Sequence, residues 1–325
     1  MRKRKSVSEL LYIGIIILLA LIVLCSVAHI LHITFSTGAD QQEIPSKTVV
    51  KDGISYFPRQ DITVVMLLGI DQYGKVQPSG SYNNHGAADV VMLLIFDDTN
   101  DKYDVLYLNR DTMLPVPVLG LGGKPAGTYF GQLALAHTYG TGMEDSCENV
   151  RTAVSDFLNG IRIDYYVAMN MDAVSILTDA VGGVEVNVEE DFSEVDPTIT
   201  MGTLKLNGSQ AINYVRTRKD VGDQLNLSRI DRQKKFVSGF MDAFKGEKGS
   251  ATFVASTYES VIDYLVTDCS VTTINNLYSR YSDYQLDEIH VPEGENVMGE
   301  KYFEFYVDEE QLEDLVLRLF YAPKK

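Results

Sequence analysis

Two aspartates, Asp71 and Asp89, and the dipeptide Arg110-Asp111 stand at the ends of three short apolar runs. Ile62–Gly69 (ITVVMLLG), Val90–Phe96 and Tyr103–Asn109 have the length and β-branched content of buried strands, with a turn at Asp97–Lys102 between the last two. If the three form an antiparallel meander, the end of the first, the start of the second and the end of the third share one rim of a sheet. Asp71 lies just past the first, Asp89 just before the second, and Arg110 and Asp111 just past the third. Two carboxylates and a guanidinium on one rim suit a divalent cation that holds a phosphate. The competing reading is that Asp71 and Asp89 are turn residues capping strand ends.

A second cluster is basic. Between Lys205 and Lys235 there are eight Lys and Arg against three Asp and Glu, in an otherwise acidic chain. Arg229, Arg232 and Gln233 are spaced i, i+3, i+4, which is one face of a helix. Ser228 is placed to cap that helix. Arginines at a helix N-terminus oppose the helix dipole unless an anion sits there, and backbone N–H groups and guanidinium forks both bind phosphate. Arg216 and Arg218 precede this helix. The alternative is a solvated basic face.

The elements that must position these residues alternate between strand and helix. Helices are expected at Gln132–Tyr139, Glu148–Leu158, Asp172–Ala180, Ser209–Val215 and Ser228–Phe244, and strands at Asp164–Asn170 and Val184–Val188. That order predicts an α/β protein, an α-β-α sandwich with a central mixed sheet. After a seam at Gly246–Gly249, helices are read at Thr252–Val266, Val271–Tyr281 and Glu309–Phe320, and strands at Leu286–Val291 and Tyr302–Val307. Gly120–Gly127 (GLGGKPAG) reads as a flexible loop, since Pro follows Gly-Lys where a phosphate-binding Walker loop needs Ser or Thr. There is no HExxH, CxxC or GxSxG.

Leu10 to Ile33 carries no charged residue, and a helix of that length reaches roughly 36 Å, enough to cross a hydrocarbon core of about 30 Å. Arg2, Lys3, Arg4 and Lys5 before it keep the N-terminus cytoplasmic, so the rest of the chain lies outside a single-pass cell membrane anchor. Residues 1–9 are then a cytoplasmic head, 10–33 the anchor and 34–60 a polar stalk. The outer part divides into 61–246, which holds the motifs, and 247–325, an α/β extension. Of 28 Lys and Arg, four lie in the first 33 residues, with one of 45 Asp and Glu, so the outer part carries −20. That charge argues against a nucleic-acid partner. Cys147 and Cys269 are read as two buried thiols rather than a disulfide.

The segments VVMLLGIDQ, ADVVMLLIFDD, VLYLNRDTMLPVP, IDYYVAMNMDAVSILTDAVGGVEVNV, LNGSQAINYVRTRKD and SRIDRQKKF, in that order, resemble the LytR-CpsA-Psr family over about Asp61 to Phe244. The resemblance implies a Mg²⁺-dependent phosphotransferase on the outer face of the membrane. Such an enzyme moves an anionic glycopolymer from a polyprenyl-pyrophosphate carrier onto the C6 hydroxyl of N-acetylmuramic acid in peptidoglycan. It further implies that Asp71 and Asp89 hold the metal. Arg110, Arg216, Arg218, Arg229, Arg232 and Gln233 would bind the pyrophosphate and its head sugar, with Arg110, Arg229 and Asp111 catalytic. The sequence departs from the family pattern at Gly86-Ala87-Ala88, where an Arg usually precedes the second acid, at Asn109 in place of Pro, and at Asn226 in place of Asp. Lys75 is a candidate substitute for the absent Arg. A non-catalytic, membrane-tethered binder or sensor of lipid-linked polymer is the alternative function.

Overall fold

The computed structural model describes residues 48–324, apart from 121, 218, 223–225, 247–256, 258, 271–272, 274–275, 278–279 and 282–283. The anchor expected at Leu10–Ile33 lies outside the described residues, as do Arg218 and Asp223. Among the described residues no helix is long and apolar enough to cross a membrane.

In chain order the elements are β1 (Val49–Lys51), β2 (Ile54–Pro58), β3 (Ile62–Ile70), β4 (Ala88–Asp97), β5 (Lys102–Leu108), β6 (Met113–Leu119) and β7 (Pro125–Gln132). A 3-10 helix (Leu133–Thr138), α1 (Glu144–Phe157), β8 (Tyr165–Asn170), α2 (Met171–Ala180), β9 (Val184–Val188) and β10 (Gly202–Leu206) follow. Then come α3 (Gly208–Arg216), α4 (Asn226–Gly246), β11 (Leu265–Thr267), β12 (Gln285–His290), β13 (Gly294–Met298), β14 (Phe303–Val307), α5 (Glu309–Phe320) and β15 (Tyr321–Pro323). The chain forms two compact units, one from 69–76 and 169–285, the other from the described parts of 26–68, 77–168 and 286–325.

The second unit contains strands of a central mixed sheet in the order β8-β3-β4-β5-β12. β4 and β5 are antiparallel, with Val91 opposite Leu108 and Asp97 opposite Lys102. β3 is antiparallel to β4, since Asp98 N donates to Asp61 O at the turn end (2.9 Å). β8 runs parallel to β3: Asp164 at its start accepts from Val64 N through Oδ2 (2.8 Å) and donates its own N–H to Val64 O (2.9 Å). The expected meander therefore forms, and its apolar runs fill a core that includes Met66, Leu68, Leu93, Ile95 and Leu106. Gly120–Gly127 is not a loose loop. It turns the β6–β7 hairpin, and Pro125 already pairs with Leu119. Residues 49–58 of the polar lead-in are a β1–β2 hairpin onto which β15 zips, Pro323 opposite Tyr56.

In the first unit, β9 and β10 pair antiparallel from Val184–Leu206 to Val188–Gly202. α4 packs on β9, and α3 packs on both α2 and α4. The LNGSQ segment is a capping box: Asn207 Oδ1 accepts from Gln210 N and Gln210 Oε1 from Asn207 N, each at 3.0 Å. Gly208 allows α3 to touch α2, for a Cβ there would stand 2.5 Å from Ser175 O. The Gly182-Gly183 pair has φ of +74° and +98°, a region that suits glycine, and turns the chain from α2 into β9. Cys147 and Cys269 are both buried thiols.

Candidate functional site

Three of the expected site residues meet in the second unit. The β4–β5 register, carried one pleat beyond Val91–Leu108, sets Asp89 opposite Arg110. Arg110 Nη1 donates to Asp89 Oδ1. Asp89 is the second residue of β4 and only 5% exposed, so a carboxylate is held in the protein interior with a cation on it. Asp111 is buried too, and it serves to fix the corner. Its Oδ1 accepts from Gln132 Nε2 at 3.0 Å and lies 3.5 Å from Arg110 Nε. Its N–H donates to Asn109 Oδ1 (3.0 Å), and its carbonyl accepts from Phe305 N (2.9 Å). Asn109, where the family pattern has Pro, thus has a capping task. Gln132 also donates to Phe303 O at 2.7 Å, so β14, from the C-terminal segment, braces the corner.

In the first unit Asp71 meets Arg216. Asp71 follows β3, and Arg216 is the last residue of α3, where a cation complements the helix dipole. Arg216 Nε donates to Asp71 Oδ1 at 2.7 Å and Nη2 to Oδ2 at 3.3 Å. The guanidinium also lies 5.8 Å from the centre of the Tyr73 ring. The loop after Asp71 is pinned by the start of α2. Asn170 caps α2 by accepting from Ala173 N (3.1 Å) and donates to Gly74 O (2.6 Å), while Asp172 Oδ2 accepts from Gly74 N (2.5 Å). Lys75 pairs with Asp263 at 2.5 Å.

Arg229, Arg232 and Gln233 share one face of α4, as their spacing predicts, and that face is buried, with exposures of 3%, 3% and 6%. Arg232 Nε donates to Tyr214 O (3.1 Å), and its two Nη atoms donate to Glu190 Oε2 and Thr217 O. Gln233 Nε2 donates to Val215 O at 2.9 Å. Two side chains of α4 thus satisfy three of the last carbonyls around the end of α3, which leave a helix without internal partners. They fix the backbone that presents Arg216. Beside them Glu189, Glu190, Tyr214, Ser228, Asp231 and Lys235 line a small polar cleft crossed by Lys235, which bridges Glu189 (2.8 Å) and Asp231 (2.9 Å). Burial pushes the Tyr214 hydroxyl up to about 12.

Asp71 thus pairs with Arg216 in the first unit, and Asp89 with Arg110 beside Asp111 in the second. Sequence reasoning missed Asn84, His137, Asn170 and Asp172, single polar residues that hold the two aspartate-bearing segments. The one available signal was Asn170 immediately before a helix, a capping position.

The sequence model of the LytR_cpsA_psr family matches residues 29–319. The chain is 25% identical over 325 residues to the polyisoprenyl-teichoic acid–peptidoglycan teichoic acid transferase TagU of Bacillus subtilis, covering 98% of this chain and 96% of that protein. It is 28% identical over 223 residues to the protein of the same name from Enterococcus faecalis, covering 67% of this chain and 65% of that one. In three dimensions it is similar to the crystal structure of gbs0355 from Streptococcus agalactiae, with a TM-score of 0.65, 22% identity and coverage of 80% and 86% of the two chains.

Proposed function

The chain belongs to the LytR-CpsA-Psr family, and on that premise we propose that it is a transferase of cell-envelope glycopolymers. In this reading it is anchored in the cell membrane by Leu10–Ile33, with an α-β-α sandwich outside. It moves an anionic polymer from a polyprenyl-pyrophosphate carrier to the C6 hydroxyl of N-acetylmuramic acid. The names of its relatives support a teichoic acid as the polymer. The observation that carries the proposal is that two aspartates each bear an arginine, Arg216 on Asp71 and Arg110 on Asp89. Arginine forks match phosphate oxygens as well as carboxylates.

Mg²⁺, the ion the family resemblance implies, takes hard oxygen ligands and is held by one or two carboxylates together with substrate phosphates. The carboxylates read for it are Asp71, in the first unit, and Asp89, in the second; each is neutralised by an arginine, which would have to turn to an anion before a cation could take its place. When bound, the ion would withdraw charge from the phosphate oxygens. The arginines read from the family resemblance as pyrophosphate ligands are Arg110, Arg216, Arg218 and Arg229. Arg232 and Gln233 hold the end of α3, and Asp111 orients Arg110. The sugar hydroxyl oxygen forms a bond to the phosphorus next to the polymer, and the bond from that phosphorus to the bridging oxygen breaks. Polyprenyl phosphate leaves with the electron pair, and the hydroxyl proton passes to solvent. A guanidinium fixed beside the phosphorus stabilises the charge that builds on its oxygens.

Gly86-Ala87-Ala88, which places no arginine before Asp89, favours the second reading, a tethered binder of lipid-linked polymer. The two separate in one assay. The full chain in liposomes is given a polyprenyl-pyrophosphate-linked glycan and peptidoglycan. Transfer of label to peptidoglycan with Mg²⁺ is the expected result. Binding of the lipid-linked glycan without transfer would establish the binder instead.

A further inference from the structure

Gly86 lies three residues before Asp89, and its peptide group is held from both sides. Its N–H donates to Asn84 Oδ1 at 2.7 Å, and its carbonyl lies 2.7 Å from His137 Nδ1. A carbonyl only accepts, so Nδ1 carries the imidazole proton. Asn84 is itself immobilised: its Nδ2 donates to His137 O (2.7 Å), Gly140 O (3.1 Å) and Ser146 Oγ (3.1 Å), and its N–H to Thr138 O (2.9 Å). Asn84, His137 and Ser146 are exposed by only 2%, 1% and 0%. The 3-10 helix that carries His137 starts against the other half of the corner, where Ala134 N donates to Arg110 O at 3.0 Å and Leu133 N to Thr112 O at 2.8 Å. Hydrogen bonds therefore close a ring: Asp89 to Arg110, Arg110 to the 3-10 helix, His137 to Gly86, and along the chain back to Asp89.

We propose that His137 is a positioning residue for the Asp89–Arg110 pair, fixing the segment 86–89 through its Nδ1–H and thereby setting where the Asp89 carboxylate stands relative to Arg110. Its catalytic meaning rests on the phosphotransferase reading. A role confined to stability fits the geometry less well. His137 Nε2 is buried and has no hydrogen-bond partner among the described residues, an unfavourable state that an apolar side chain of similar size would avoid. The imidazole holds its one useful bond, to Gly86, at that cost. Burial also pushes the His137 imidazole down to about 4, so it stays neutral and in one tautomer.

The test compares His137→Leu, which removes the donor, with His137→Asn, whose amide nitrogen can stand where Nδ1 stands. The parent and both variants are measured for amide hydrogen exchange at Gly86 and Asp89, for affinity toward inorganic pyrophosphate with Mg²⁺, and for transfer per folded molecule. In His137→Leu exchange at the two amides should accelerate, while pyrophosphate affinity and transfer fall on the order of 10–100-fold, the usual effect of losing an outer partner of a site. His137→Asn should restore all three to within a few-fold of the parent. Imidazole nitrogen NMR of the parent should show the proton on Nδ1. Equal losses in the two variants, unchanged exchange in His137→Leu, or a proton on Nε2 would overturn the proposal. If the parent binds no pyrophosphate, the phosphotransferase reading fails, and the exchange and NMR measurements still decide the role of His137.

Discussion

Arg216 spans Asp71 with two nitrogens, Nε to Oδ1 at 2.7 Å and Nη2 to Oδ2 at 3.3 Å, so a proposed metal ligand and a proposed phosphate ligand neutralise each other. Arg110 on Asp89 repeats the relationship. An anion that draws the guanidinium away frees the carboxylate for a cation, and a cation on the carboxylate frees the guanidinium for an anion. Mg²⁺ and pyrophosphate are therefore expected to bind this chain cooperatively, each raising the affinity of the other by the same factor, about 5–150-fold. Calorimetric titrations, corrected for association of the two ions in buffer, measure that factor. It should shrink in Arg216→Ala. Independent binding of the two ions would rule the exchange out.

The two pairs differ in burial, and their variants should differ accordingly. The side chains of Arg216 and Asp71 are 44% and 30% exposed, where an ion pair contributes roughly 0–1 kcal/mol. Arg216→Ala should therefore melt near the parent while transfer falls on the order of 10²–10³-fold. Removing Arg110 instead takes the cation from the buried Asp89 carboxylate, which costs up to roughly 3–5 kcal/mol. Arg110→Ala should lose both stability and transfer, and Asp89→Asn in the same chain should recover stability alone. Melting curves and single-turnover transfer on the same preparations separate the two effects. Arg216→Ala transferring at the parental rate per folded molecule would remove Arg216 from the mechanism.

The central strands are legible because their runs are long and apolar. ITVVMLLG extends only to Ile70 as β3, and the helix read at Asp172–Ala180 starts one residue earlier as α2. Strand β6 is hidden by Pro115 and Pro117, which remove ladder donors and argue against a strand unless it lies at an edge, as it does in this two-stranded pair. The spacing of Arg229, Arg232 and Gln233 shows a shared face but not which way it looks. An arginine face reads as solvated until Glu190 and the carbonyls of Tyr214 and Thr217 are placed around it. Asp71 and Arg216 are 145 positions apart, and no local pattern joins them. His137 and Asn84 are illegible for the same reason, since each acts on a peptide group brought to it only by the fold.

Arg232 should behave as a structural residue. Its side chain is 4% exposed, and its donors go to Glu190 and to two backbone carbonyls. Arg232→Ala would leave Glu190 without its cation and those carbonyls without their donors. A loss of roughly 3–5 kcal/mol is expected, which for a protein of this size is a fall in Tm on the order of 10 °C. Because the same contacts fix the backbone beside Arg216, pyrophosphate affinity of the remaining folded protein should weaken as well. Scanning calorimetry and pyrophosphate titration check the two limbs. An unchanged Tm would show that Arg232 is not the brace of the α3 end.

Acid should weaken the fold through His137 before it reaches the carboxylates. Burial holds the folded imidazole at about 4, against an ordinary value of 6.5, while the Gly86 carbonyl and the charge of Asp145 act the other way with less effect. Below about pH 6.5 the unfolded chain takes up a proton that the folded chain refuses. Stability is therefore full above that value, falls as pH drops toward about 4, and is level again below it. One unit of displacement is worth about 1.4 kcal/mol, so the loss between about pH 7 and pH 5 is on the order of 2 kcal/mol. The carboxylates of Asp61, Asp97 and Asp196 lie below their ordinary range. Their contribution is present above about pH 4 and is lost only below it, outside this window. Urea unfolding at the two pH values measures the slope, to which the buried Asp164, its carboxyl pushed up by burial, contributes in the opposite sense, and His137→Asn, which cannot titrate, should remove the imidazole's share of it. A parent and variant with the same slope between pH 7 and pH 5 would show that the imidazole is not held neutral at this site.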